Sequence, residues 1–201
     1  MSCIHIYGST LGRNDRYFIQ CYNYEYLKVE GDTLTGSHLG NSSSQLTEFV
    51  AGVRQFRINI EGRYEMCYTL AFNYEGQSYF LAIGRNNAVE LLPAVGNRSI
   101  RNNSEQYKRC FLKLHLLGQE RWKIESALVR GVFLSYNGDG KVEFRPGSGS
   151  DTQLFRMHRP RYQSFFNSLD QIKIDISFYD IDFGTEELEV SPNLFRDTNL
   201  L

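Results

Sequence analysis

Residues 79–93 read YFLAIGRNNAVELLP, and residues 132–146 read VFLSYNGDGKVEFRP. Placing Phe80 on Phe133 sets an offset of 53, which also lays Leu81 on Leu134, Val89 on Val142, Glu90 on Glu143 and Pro93 on Pro146. A fainter copy, YLKVEGDTL at 26–34, starts 54 residues before Phe80. Each copy is an apolar run, a turn rich in Gly, Asn or Asp, and a second apolar run, which is the pattern of a β-hairpin. Three hairpins at a nearly constant period predict a chain built from three similar all-β units.

The remaining strands fall between the hairpins. Residues 17–22, YFIQCY, read as the first strand, and 37–44 as a polar loop. Gln55-Phe56-Arg57-Ile58-Asn59-Ile60 alternates strictly and should bury Phe56, Ile58 and Ile60. An offset of 56 aligns Ile58 with Leu114, Ile60 with Leu116 and Gly62 with Gly118 in a matching strand at 111–116. A loop at 95–106 separates the second and third units, and 153–158 supplies the last strand. Three units of four strands are the arithmetic of a β-trefoil, a six-stranded barrel capped by three hairpins. A β-sandwich is the competing architecture, but its turns recur at shorter intervals than 53 residues. The expected organisation is a lead at 1–16, an all-β trefoil domain at 17–158 and an acidic extension at 159–201. That extension holds 8 acidic and 4 basic residues, against a chain net charge of −1.

This charge supplies no electrostatic drive toward nucleic acid or anionic membranes. No apolar run approaches a membrane span, so membrane insertion is not expected. The N-terminus lacks a basic region followed by a long apolar stretch, so a secretory signal is not expected either. Cys3, Cys21, Cys67 and Cys110 are scattered, as are the four histidines, so the expectation is free, mostly buried thiols and no metal. The sequence also lacks G-x-S-x-G, a phosphate-binding Gly-rich loop and H-E-x-x-H, so we expect no enzyme and no cofactor. Asn137-Gly138-Asp139-Gly140 reads as a hairpin turn rather than a calcium loop, for want of the acidic residues a loop needs downstream. With Trp122 the sole tryptophan, repeated Gln-x-Trp motifs of sugar-binding trefoils are excluded.

Lys123-Ile124-Glu125-Ser126-Ala127, four residues, then Val132-Phe133-Leu134-Ser135 resembles the F-E-S-A-x(4)-W-F-L segment of the interleukin-1 cytokine family. Here Lys123-Ile124 and Val132 stand in place of the family's aromatic residues. Around it, Arg109-Cys110-Phe111-Leu112 is similar to a family K-x-F-x-F strand, and Tyr79-Phe80-Leu81-Ala82 with Val89-Glu90-Leu91-Leu92 to its Y-L-S-C…L-Q-L pair. The resemblance spans about residues 16–158.

The resemblance implies a monomeric signalling ligand rather than an enzyme, exported without a signal peptide and retaining a cytoplasmic pool. Its partners would be an interleukin-1-type receptor ectodomain of immunoglobulin-like domains and an accessory receptor chain, with TIR-domain inflammatory signalling as the output. By position, Glu61, Arg63, Tyr64 and Glu65 would face the accessory chain, and Asp151, Thr152, Gln153 and Leu154 would decide between agonist and antagonist. Glu125, Ser126, Ala127, Phe133 and Leu134 would be structural. Two alternatives stay open. One is a fibroblast-growth-factor-like trefoil ligand, suggested by Asn137-Gly138-Asp139-Gly140 with His158-Arg159-Pro160; the other is a non-signalling decoy or intracellular binding module.

Overall fold

The computed structural model describes residues 4–5, 15–39, 43–60, 62–94, 105–118 and 120–159. The first unit comprises β2 (Asp15–Gln20), β3 (Tyr26–Glu30), β4 (Thr33–Ser37) and β5 (Val50–Ile60). The second comprises β6 (Arg63–Tyr74), β7 (Gln77–Ile83), β8 (Val89–Pro93) and β9 (Leu112–Leu116). The third comprises β10 (Arg121–Ser126), β11 (Val132–Tyr136), β12 (Val142–Pro146) and β13 (Phe155–His158). Ahead of them, β1 (Ile4–His5) pairs antiparallel with β5.

Strand pairing runs β5-β2-β13-β10-β9-β6, and β6 pairs back onto β5. Six antiparallel strands therefore close a barrel and leave no open edge to recruit another chain. The hairpins β3–β4, β7–β8 and β11–β12 branch from β2, β6 and β10. This is a β-trefoil, with each unit giving two barrel strands and one cap hairpin.

The repeat seen in sequence is a repeat of core positions. Ile19, Val53, Leu70, Leu112, Ile124 and Phe155, one from each barrel strand, belong to a single buried cluster. Leu27, Leu81 and Leu134 occupy equivalent places in the three caps, each at 0% exposure. Two residues further on stand Val29, Ile83 and Tyr136, so the third unit carries a hydroxyl where the others are aliphatic. Gly36 makes room for it, since a Cβ there would lie 2.6 Å from the Tyr136 ring.

A second apolar cluster covers the opposite face of the long β5–β6 ribbon. Phe56, Ile58 and Ile60 are buried in it as alternation predicts, and the Phe56 and Phe111 rings meet edge-on at 5.3 Å. Tyr107, on the helical turn α2 (Glu105–Lys108), packs against this cluster and donates to the Pro93 carbonyl at 3.1 Å.

Several boundaries differ from those read in the sequence. Strand β2 begins at Asp15, and the helix α1 (Ser43–Thr47) starts inside the expected polar loop. The last strand begins at Phe155 because Ser150 caps a 3-10 turn at Asp151–Gln153, accepting from the Thr152 N–H at 3.3 Å. Ile60 is buried in the second apolar cluster, whereas its aligned Leu116, which is not a member of that cluster, is 59% exposed. The expected acidic extension lies outside the described residues beyond Arg159, as does most of the expected loop at 95–106. Asn137 to Gly140 closes the β11–β12 hairpin, with Asn137 Oδ1 accepting from the Asp139 and Lys141 amides. Cys21, Cys67 and Cys110 are free and buried.

Candidate functional site

The segment from Glu125 to Leu134 is where β10 turns into its cap hairpin. Glu125 is 9% exposed; one carboxylate oxygen accepts from the Gly131 N–H at 2.7 Å and the other meets His115 Nε2 at 2.6 Å. Ser126 Oγ accepts from the Val129 N–H at 3.1 Å, and the Ala127 N–H donates to the Phe111 carbonyl at 2.9 Å. Both side chains are buried, so Glu-Ser-Ala satisfies the backbone of a tight turn from within. Leu134 fills the cap core, while Phe133 is half-buried beneath the Lys123 ammonium, 5.4 Å from its ring centre.

The first predicted contact loop is the β5–β6 turn. Glu61 lies outside the described residues. Arg63 is exposed, and Tyr64 is 55% exposed with the Arg57 guanidinium 4.6 Å from its ring centre. Glu65 is engaged by Lys113 of β9 and by Arg130 at 3.7 Å, so its charge is already matched within the molecule.

The second predicted loop is the 3-10 turn before β13. Asp151 is exposed, Thr152 is half-buried with its hydroxyl 3.2 Å from that of Ser135, and Leu154 is half-buried. Gln153 is the buried member of the turn. At 1% exposure it accepts from the Ser148 N–H and donates to the Pro146 carbonyl, both at 2.9 Å, bracing the loop instead of facing outward. The two loops have different surroundings: the first leans on β9 and Arg130, the second on β11 and β12.

Sequence reasoning passed over the neighbours of the second loop. Asp151 and Leu154 edge a cleft of about 190 Å³ together with Tyr22, Tyr24, Arg121 and Arg156. The sequence reading placed Tyr22 at the end of the first strand, whereas β2 stops at Gln20 and leaves Tyr22 and Tyr24 in the turn before β3. The approach of Arg121 to Arg156 depends on barrel closure and has no local sequence signal.

Beneath this turn, the Tyr136 hydroxyl donates to the Glu25 carboxylate and accepts from the Gly140 N–H at 3.1 Å. Asn23 Nδ2 adds a second donor to Glu25 at 2.6 Å. These hydrogen bonds, that from Tyr136 foremost, hold the Glu25 carboxyl below its usual range, and burial first and Glu25 second push Tyr136 up to about 12.

No protein-family model matches the chain, and a search of curated proteins found no match. Solved structures do match. Interleukin-1β from chicken aligns at a TM-score of 0.54 and 15% identity, over 77% of this chain and 99% of that one. An interleukin-1 mutant from Gallus aligns at 0.55 and 14%, over 78% and 99%. The designed three-fold symmetric protein ThreeFoil aligns at 0.50 and 16%, over 72% and 99%. The shared property is the fold. A cytokine and a designed symmetric trefoil both match, so the likeness leaves activity to be argued from the residues.

Proposed function

We propose that this chain is an interleukin-1-type trefoil ligand that acts outside the cell. It binds an immunoglobulin-domain receptor of the interleukin-1 type and offers a second surface to an accessory chain. The observation that carries this reading is the Glu125-Ser126-Ala127 segment. It resembles the most specific sequence signature of that family and forms a buried, internally hydrogen-bonded turn between β10 and β11. The near-complete coverage of chicken interleukin-1β supports it at the level of fold.

The physical logic is that of a ligand and not an enzyme. A closed barrel holds loops such as Arg63–Glu65 and Asp151–Leu154 at fixed separations, and two rigid surfaces can then bring two receptor chains together. Surface-plasmon binding of the full chain to a panel of interleukin-1-family receptor ectodomains, with and without accessory chains, tests the reading. Saturable binding to one primary receptor supports it, and accessory recruitment then separates agonist from antagonist. A folded protein that binds none of them overturns it.

A further inference from the structure

The cleft beside the second loop has the chemistry of a built recognition site. Arg121 and Arg156 are directly opposed across the β10–β13 ladder. Opposed residues in an antiparallel pair project to one face, and like charges placed so destabilise it. Several other charges are matched by ion pairs: Glu65 with Lys113, Glu90 with Arg109, Glu143 with Arg145, Asp15 with Arg159. Among the described residues, neither Arg121 nor Arg156 has an ion pair or a side-chain hydrogen bond. Arg121 Nε is moreover covered by protein with no acceptor. A covered donor without an acceptor is destabilising, and an incoming acceptor relieves it.

The rim is aromatic. Tyr22 is 42% and Tyr24 68% exposed. Tyr24 sits at a left-handed φ of 69°, held by its N–H donating to the Cys21 carbonyl at 3.1 Å. Arginine and tyrosine around a small cleft with one apolar wall, Leu154, are the composition of a protein-binding hot spot. Asp151 lines the same cleft, so two arginines and one carboxylate leave a single net positive charge. That balance matches a carboxylate better than a phosphate or sulfate. Paired guanidinium forks suit a carboxylate's two oxygens.

We propose that this cleft receives an aspartate or glutamate side chain of a partner protein. Arg121 and Arg156 hold its carboxylate, and Tyr22, Tyr24 and Leu154 cover its stem. That the partner is a receptor rests on the function proposed above.

The first test needs no receptor. N-acetyl-glutamate N-methylamide is titrated into the full chain while the ¹⁵N arginine Nε–H resonances are followed, with the blocked glutamine as neutral control. The expected result is that Arg121 and Arg156 shift along one saturating curve with a midpoint on the order of millimolar. The glutamine should leave them unmoved, and Arg156→Glu, at an exposed position, should abolish the response of Arg121. A linear drift shared with exposed Arg63 overturns the site. Saturation by glucuronate where blocked glutamate fails overturns the protein side chain in favour of an acidic saccharide.

The second test is receptor affinity. Arg156→Glu should weaken it at least tenfold with a melting temperature no lower than the wild type's, since it replaces a like-charge pair by an opposite-charge one; unchanged affinity overturns the assignment to the receptor. If the wild type binds no receptor yet the resonances saturate, the receptor reading fails and the cleft stands.

Discussion

Replacing Tyr136 by Phe removes one oxygen from a side chain that is otherwise fully buried, and the structure says what should be lost. The hydroxyl donates to the Glu25 carboxylate and accepts from the Gly140 N–H, tying the turn before β3 to the β11–β12 hairpin. A hydrogen bond to a charged group contributes about 1.5–3 kcal/mol and a neutral one about 1. Glu25 keeps Asn23 as a partner. Tyr136→Phe should therefore cost about 2–4 kcal/mol, lowering the melting temperature by roughly 5–15 °C for a domain of this size. Denaturant unfolding of the wild type, Tyr136→Phe, Glu25→Ala and the double variant should yield a coupling energy of about 1.5–3 kcal/mol.

The pH dependence supplies an independent check. Glu25 is held below its ordinary value of 4.5 in the folded state. Its contribution is therefore present above that pH and lost as pH falls through the folded value. Tyr136, raised from 10.0 to about 12, contributes below pH 10 and loses its contribution as pH rises through about 12. Wild-type stability should thus fall more steeply than that of Tyr136→Phe at both extremes. A coupling energy below about 0.5 kcal/mol, or parallel acid limbs for the two proteins, would refute the reasoning.

Glu125→Ala leaves the Gly131 N–H without its acceptor and should cost about 2–4 kcal/mol in denaturant unfolding, with Glu125→Gln, which keeps an acceptor, costing less. Leu81→Ala in the cap and Phe56→Ala in the outer cluster should cost about 2–5 and 3–5 kcal/mol, and the two losses should be close to additive because they fall in separate clusters. Burial pushes the thiols of Cys67 and Cys110 up to about 12 and that of Cys21 still higher. Alkylation at pH 8 followed by peptide mass spectrometry should find all three unmodified until denaturant is added.

The architecture was legible because the trefoil writes its symmetry into the chain. Positions such as Leu27, Leu81 and Leu134 must be filled alike in each unit, and a hairpin advertises itself through turn residues a few positions away. Boundaries were less legible where side-chain hydrogen bonds compete with strand extension. The Ser150 cap ends the loop at Gln153 and postpones β13 to Phe155, a choice made by one hydroxyl. The same loop shows why the site resisted prediction. Asp151 and Gln153 are both polar, two residues apart, and nothing local says that one faces outward and the other braces two backbone groups at 1% exposure. The opposition of Arg121 and Arg156 is further removed still, since it requires the first strand of the third unit to meet the last strand of the same unit at one register. Cores repeat because packing constrains every unit equally. A binding site must break that symmetry, and the proposed cleft is built from what a repeat leaves unexplained: two tyrosines in a turn and two directly opposed arginines.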